Sequence, residues 1–504
     1  MTLVQNFPFF CIIFSMFSAI ITFVLKPRPA KYLHVIMVTA VLVMSAATLM
    51  YCMNTGESYV FTMGHYAAPW GNEIRIGCLE ALMATYFALI MLLSVLGGMT
   101  HLNAEIQDSK KNLFYIVLDL LMASLLALIY TNDLFTGYVF IEINTIAACG
   151  MIMIKKQGRT YVSAIRYMVM SLVGSGLFLI GLTLLYGITG QLLMSPAKEA
   201  IAELVSQDAY QFPLLVIIVL MTVGLGIKSG LYPFHTWIPD AYSYTSPTCS
   251  AILSSLVSKG YIFLLIKIFY RVLGLESVVS SHIVNIVFIF ALIGMIMGSV
   301  DAIKEKNIRR MTAYSSVAQI GYIYMGIGLG TTAGFVAAIF HILSHAAMKS
   351  LLFISIASLS EASGGKSDFD SLRGAGHRNR LAGAAYTVGA LSMVGMPLLT
   401  GFVSKFLFAE AATGAGAKML PAWIVLAVST VLNAVYFMHT VLTIYRPVYR
   451  RNEQGELMQL PVVRQTNSLV EAAGLVGLIL VNIALGISAQ PIIQVIETGL
   501  SMFD

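Results

Sequence analysis

Residues 334–359 read GFVAAIFHILSHAAMKSLLFISIASL, apolar at both ends, with His341, His345 and Lys349 at the middle. A spacing of four and four turns each group only about 40° from the last at 3.6 residues per turn, so the three share one slowly drifting stripe of a helix. Imidazole and amine side chains both take up and release protons. Such a stripe suits a proton relay, and it must face something other than lipid.

Four more charges lie deep in apolar runs. Glu142 sits near the middle of NDLFTGYVFIEINTIAACG, and Lys228, Lys259 and Lys405 are similarly placed. A charge at the centre of a membrane helix costs about 3 kcal/mol even on lenient insertion scales. One glutamate cannot neutralise four lysines, so a single inert ion pair does not account for the set. Burial in apolar surroundings favours the neutral form of amine and carboxyl alike, which makes proton exchange near neutral pH accessible. If Glu142 and Lys228 met at about 4 Å, their attraction would be roughly 4 kcal/mol at an effective dielectric constant of 20. That is enough for a switch in which Glu142 holds Lys228 charged and releases its proton towards Lys259 on moving away. His235, beside Pro233, is read either as a relay group or as a cap on a broken helix. Lys267, near the end of its segment, is expected to snorkel to the interface. Asp119 and Glu80 are acidic intruders with no role assigned.

The elements that must hold these groups are legible in the hydropathy. Of 504 residues, 58% are hydrophobic and 11% charged, against about 25% charged in soluble proteins, and the mean hydropathy is +0.83. Apolar stretches long enough to cross a hydrocarbon layer of roughly 30 Å recur from end to end. The chain therefore reads as an all-α polytopic membrane protein of about fourteen transmembrane helices. They lie near 8–26, 32–53, 78–98, 112–130, 132–154, 162–187, 211–238, 248–272, 282–300, 311–329, 332–359, 380–412, 421–445 and 468–490. The first has no basic region before it and no small-residue cleavage site after it, so it reads as a retained span. With both termini outside, 21 of the 30 Lys and Arg residues fall in inside loops and only Arg75, Lys198, Arg271 and Lys418 in outside loops, as the positive-inside rule requires. That asymmetry explains the net charge of +6 without a nucleic-acid partner.

Two spans are interrupted. Span 7, MTVGLGIKSGLYPFHTWIPD, carries Gly230, Pro233 and Pro239, and span 12, VGMPLLTGFVSKF, carries Gly395, Pro397 and Gly401. Proline removes a backbone donor and clashes with the preceding turn, so both helices should break within the membrane. Freed backbone is tolerated there only in a protein-lined or wet cavity. The breaks lie five spans apart, and a repeat of odd span number inserts its second copy upside down. The expected organisation is spans 1–3 over residues 1–110, a first five-helix repeat over 111–272, an inverted second repeat over 280–446, and span 14 with the C-terminus over 447–504.

The five cysteines, Cys11, Cys52, Cys78, Cys149 and Cys249, are scattered singly and read as small buried hydrophobes. No cluster of cysteine or histidine with metal-ligand spacing, Walker loop or dinucleotide fingerprint occurs, so neither a cofactor nor a metal is expected, and a driving reaction must sit on partners.

The stretches GIKSGLYPFHTWIPDA, MTAYSSVAQIGYI, FHILSHAAMKSLLF and MVGMPLLTGFVSKF resemble the signature segments of the proton-conducting, antiporter-like membrane subunits. That family comprises large subunits of Mrp-type sodium/proton antiporters, related subunits of membrane-bound hydrogenases and formate hydrogenlyases, and three subunits of respiratory complex I. The resemblance runs from about residue 75 to 445. It implies that Glu142 matches the family's span 5 glutamate, Lys228 its span 7 lysine, Lys259 its span 8 lysine, and His341, His345 and Lys349 its span 11 relay. Lys405 matches the ionisable residue of broken span 12, where some complex I members have glutamate. Tyr242 stands where many members have histidine, and Cys249 where a small residue or proline is common. The implied function is proton translocation, with Na⁺/H⁺ exchange as its variant, in a multisubunit complex of the inner (plasma) membrane. Its partners would be homologous antiporter-like or small antiporter subunits and a peripheral redox or hydrogenase arm. The residues alone leave open a quinone- or haem-binding subunit of a redox enzyme and a transporter of an organic solute. Against the latter, the ionisable groups are spread over five spans.

Overall fold

The computed structural model describes residues 3–66, 71–155, 157–451, 457–459 and 464–503. The N-terminal helices are α1 (Phe7–Val24), α2 (Pro27–Thr55) and α3 (Cys78–Glu105), with an antiparallel hairpin of β1 (Tyr59–Thr62) and β2 (Glu73–Ile76) between the last two. Then come α4 (Lys111–Tyr130), α5 (Leu134–Met153), α6 (Gly158–Thr189), α7 (Met194–Ser206), α8 (Gln211–Ser229), α9 (Ile238–Tyr244), α10 (Pro247–Ile252), α11 (Ser258–Arg271) and α12 (Leu275–Ser280). The second half holds α13 (Ile283–Lys304), α14 (Ile308–Leu329), α15 (Thr332–Glu361), α16 (Ala375–Arg378), α17 (Arg380–Val394), α18 (Thr400–Thr413) and α19 (Met419–Tyr445). A small hairpin, β3 (Tyr449–Arg451) and β4 (Leu457–Gln459), precedes α20 (Leu469–Ile487) and α21 (Ala489–Ser501).

Twelve stretches among the described residues are long and apolar enough to cross a membrane. The other two expected spans correspond to α14, 22 residues long and mostly buried, and to the interrupted pair α17 and α18. The first interruption lies where α8 stops at Ser229. Gly230 takes a left-handed φ of 82° and Pro233 follows. The second lies between Val394 and Thr400, with Gly395 at φ 96°. Gly401 is obligatory there, because a Cβ would sit 1.7 Å from the Ser392 carbonyl oxygen. A third irregularity was not expected. Span 8 runs as α10, a π-helical turn over Leu253–Val257, and α11.

Apolar side chains point outward from α1, α2 and α6, for example Phe17, Ile20, Phe23, Ile36, Val162 and Ile165, a surface suited to lipid or to another membrane subunit. At the opposite extreme, every residue from Gly334 to Ser360 of α15 and from Ser258 to Arg271 of α11 is buried. Helices α3, α10, α14, α17, α18 and α20 all pack against α15. The stripe of His341, His345 and Lys349 thus faces protein because its whole helix does.

Some expectations fail. Lys267 does not snorkel: it is fully buried, and its Nζ donates to the Ile129 and Thr131 carbonyls at 2.7 and 2.6 Å, capping the C-terminal end of α4. Arg271 is not in a solvated loop but ends α11, ion-paired to Glu80 at 3.1 Å with both side chains 1% exposed. Two amphipathic helices, α7 and α21, replace what read as loop and tail. Helix α21 packs on α3 and α15 and leads to Phe503, whose ring lies 5.4 Å from the Arg271 guanidinium. All five cysteines are free and buried, as expected.

Candidate functional site

Lys228 occupies the last turn of α8. It is brought inward by a glycine pair: a Cβ on Gly224 would lie 2.6 Å from the Gly174 carbonyl oxygen, and one on Gly174 would lie 2.9 Å from Lys228 Cγ. Close approach of α6 and α8 therefore depends on both residues being glycine. Lys228 Nζ donates to Thr145 Oγ1 at 2.7 Å and to the Ser171 carbonyl at 3.2 Å, and lies 5.3 Å from the centre of the Tyr261 ring. A carbonyl with two lone pairs can serve its helix and the lysine at once.

The expected ion pair with Glu142 is not formed. Glu142, half-buried on α5, leaves Oε1 buried without a hydrogen-bond partner, while Lys228 is satisfied by a hydroxyl, a carbonyl and a ring. Glu142 still acts electrostatically on Lys228. The two helices bring the side chains near each other, but the hydroxyl of Thr145, three residues on, takes the lysine.

Lys259 is the second residue of α11, immediately after the π turn. Widening a helix to i→i+5 bonding displaces carbonyls from their usual partners, and Lys259 Nζ donates to one of them, Ser254 O, as well as to Ser258 Oγ at 3.1 Å. From there its charge acts on His341, His345 and Lys349. Two residues along, Tyr261, whose ring faces the Lys228 amine, donates to Asn144 Oδ1 at 2.9 Å, and Asn144 donates to Ser124 Oγ at 2.9 Å, so a polar chain runs from α11 into α5 and α4.

On α15 the imidazoles of His341 and His345 are stacked with centroids 5.8 Å apart. Both nitrogens of His345 and Nε2 of His341 are buried without partners. Lys349 Nζ donates to Thr312 O at 2.7 Å and to Ser315 Oγ, both on α14.

Lys405 caps the break in span 12: its Nζ donates at 2.6 Å to the carbonyl of Val394, the last residue of α17. It also lies 5.9 Å from the Tyr322 ring, which stacks at 5.5 Å on His341. His235 stands apart, stacked on Tyr232 at 5.1 Å with Nδ1 buried and unpartnered. The backbone of Pro233 within the break acts on it as a hydrogen-bond partner, while the end of α8 is held by another side chain. Trp237 Nε1 takes that part, donating to Ile227 O at 3.3 Å.

The fold thus buries Lys228, Lys259, His341, His345 and Lys349 almost completely, and links Lys405 to His341 through the Tyr322 ring. Reading the sequence missed the neutral partners Thr145, Tyr261, Tyr322, Ser315 and Ser404, the last hydrogen-bonded to His341 Nδ1. One signal was available, the run LSSLVSKG leading into Lys259, too rich in serine for a lipid-facing helix.

A family model described as NADH:quinone oxidoreductase/Mrp antiporter, TM, matches residues 131–433. The NADH-quinone oxidoreductase subunit N of Desulforudis audaxviator is 32% identical over 406 residues, 81% of this chain and 79% of that protein. A subunit N 2 from Syntrophobacter fumaroxidans is 25% identical over 91% of this chain and 92% of its own length. Among solved structures, a chain of the archaeal membrane-bound sulfane sulfur reductase superposes with a TM-score of 0.87 at 25% identity, covering 99% of this chain and 97% of that one. A chain of the Mrp complex from a Dietzia species gives 0.87 at 23% identity over 100% and 98%, a likeness of fold.

Proposed function

The chain belongs to the NADH:quinone oxidoreductase/Mrp antiporter transmembrane family, and from that premise we propose that it is a proton-translocating subunit of a multisubunit membrane complex. The path runs along Glu142, Lys228, Lys259, Lys349, His345, His341 and Lys405. The observation that carries this reading is that the π turn and α11, which hold Lys259 in the first set of helices, pack against α15, which holds His341, His345 and Lys349 in the second, with both helices fully buried. Like charges so close repel in a low-dielectric interior. Protons therefore occupy the line a few at a time, and loading one position drives the next to release.

The proposal includes fourteen crossings, both termini outside, and two inverted five-helix units. In support, each unit has three unbroken helices (α4, α5, α6 and α13, α14, α15), then a broken one (α8/α9 and α17/α18), then a fifth (α10/α11 and α19). His235, stacked on Tyr232 beside the first break, is assigned a relay role at the access to the line. Other membrane subunits of the complex and a peripheral arm supply the energy, and H⁺ or Na⁺ is the transported ion.

Reconstituting the complete complex in vesicles and following proton flux tests the proposal. Lys259→Ala should abolish flux in a complex that still assembles, and the isolated chain should transport little. Undiminished pumping by an assembled Lys259→Ala complex would remove the central link.

A further inference from the structure

Away from the central line, a second group of ionisable residues joins three helix ends at one membrane face. His101, near the end of α3 and 6% exposed, has a carboxylate at each ring nitrogen. Nδ1 lies 3.1 Å from Glu361 Oε2 at the end of α15, and Nε2 lies 2.9 Å from Glu471 Oε1 at the start of α20. The Glu361 side chain is 59% exposed and that of Glu471 3%. A neutral imidazole has one lone pair, which would point at a carboxylate. The arrangement is satisfied only with a proton on each nitrogen, or with one carboxyl protonated. The cluster therefore stores a proton with one end in water.

Inward from it runs a seam of hydroxyls. Ser94, two turns deeper than His101 on α3, bonds at 3.0 Å to Ser350, which is 2.8 Å from Ser255 in the π turn. Ser358, two turns outward from Ser350 on α15, lies 3.2 Å from His101 Nε2. Between these levels Thr248 bonds to the Gly98 carbonyl at 3.3 Å, and a Cβ on Gly98 would stand 1.9 Å from the threonine hydroxyl. The inner end abuts Ser254 and Ser258, which hold Lys259.

We propose that Glu361, His101 and Glu471 are a proton-loading site, and that the seam of α3, α10 and α15 connects it to Lys259. The inference rests on the function proposed above and names where that line exchanges protons with one aqueous face. Glu361 takes a proton from water and passes it to His101 Nδ1 while Nε2 releases its own to Glu471 Oε1, the oxygen to which the Ser358 hydroxyl is hydrogen-bonded at 2.5 Å. Water molecules bridging Ser358, Thr248, the Ser94–Ser350–Ser255 set and Ser258 carry the proton inward, each hydroxyl or water accepting one proton as it gives one, and the Lys259 amine receives the last. The charged groups acting on His101 are Glu361 from α15, Glu471 from α20 and, on its own helix, Glu105, which is paired with Lys155 at 3.0 Å.

The complex, reconstituted in vesicles, is assayed for proton flux while the pH at this face is varied, with assembly followed on native gels. We expect His101→Gln to lower flux at least tenfold in an assembled complex, and Glu361→Gln to flatten the dependence on the pH of that face. Wild-type flux and pH profile in an assembled His101→Gln complex overturn the proposal. So does lost assembly that Glu471→Gln restores together with full flux, since the triad is then only a clamp. Should His101→Gln fail to assemble, Glu361→Gln and Ser350→Ala decide, and wild-type behaviour of both overturns it. If Lys259→Ala abolishes flux while His101→Gln does not, this inference alone fails. No flux from the wild-type complex fails the proposed function itself.

Discussion

His341 Nδ1 and Ser404 Oγ are 2.6 Å apart, joining the relay helix α15 to the half-helix α18 that carries Lys405. With the Tyr322 ring stacked on His341 and facing Lys405, this hydrogen bond is the polar link between the histidines and the second break. Ser404→Ala should reduce proton flux about a hundredfold, the low end of what a positioned proton-transfer group contributes. Assembly should be unchanged. Ser404→Thr, which keeps the hydroxyl, should restore flux; equal loss in both variants would point to packing instead.

Lys405 has two tasks, proton exchange and capping the Val394 carbonyl. Lys405→Ala should stop exchange at the far face and destabilise by only about 1 kcal/mol, the net worth of one hydrogen bond. Dye-reported flux alongside a native gel checks both parts. Wild-type pumping by an assembled complex takes Lys405 off the path.

Because Glu142 and Lys228 form no ion pair, removing either should leave assembly intact. Glu142→Gln should lower flux at least tenfold by withdrawing the charge that acts on Lys228, Lys228→Ala should do so by removing the carrier, and the double variant should be no worse than either. The opposite pattern, poor assembly of the single variants rescued in the double, is that of a buried pair with a structural role.

The Glu80–Arg271 pair is structural, and it should show that pattern. Both side chains are 1% exposed, and Arg271 is also held by Asn132 Oδ1 at 2.7 Å. Glu80→Gln should cost about 3–5 kcal/mol by stranding a buried guanidinium. A thermal melt of the purified complex measures the loss, and adding Arg271→Met should recover part of it.

Gly401→Ala tests the second break. The added methyl meets the Ser392 carbonyl oxygen at 1.7 Å, where backbone must move. Overpacking of this kind costs about 1–3 kcal/mol, and here it also shifts Lys405. Flux should fall more steeply than thermal stability; an unaltered flux would mean that the geometry of the break is not used.

Read by itself, the sequence determines a helical membrane protein, the positions of both breaks and the identity of the buried ionisable residues. Each has a local cause: apolar length, proline and glycine chemistry, and the cost of a charge in hydrocarbon. It does not determine who partners whom. Hydropathy cannot tell a helix facing lipid from one facing protein, so only the tertiary structure decides that α15 and α11 are central, that Lys267 caps α4, and that Arg271 meets Glu80, 191 residues earlier. Opposite charge at similar depth in two apolar runs makes Glu142 and Lys228 an expected pair. The packing of α5 against α6, and of α6 against α8, gives the lysine to Thr145 and Ser171 instead, because a hydrogen bond is settled by tenths of an ångström that no linear pattern records.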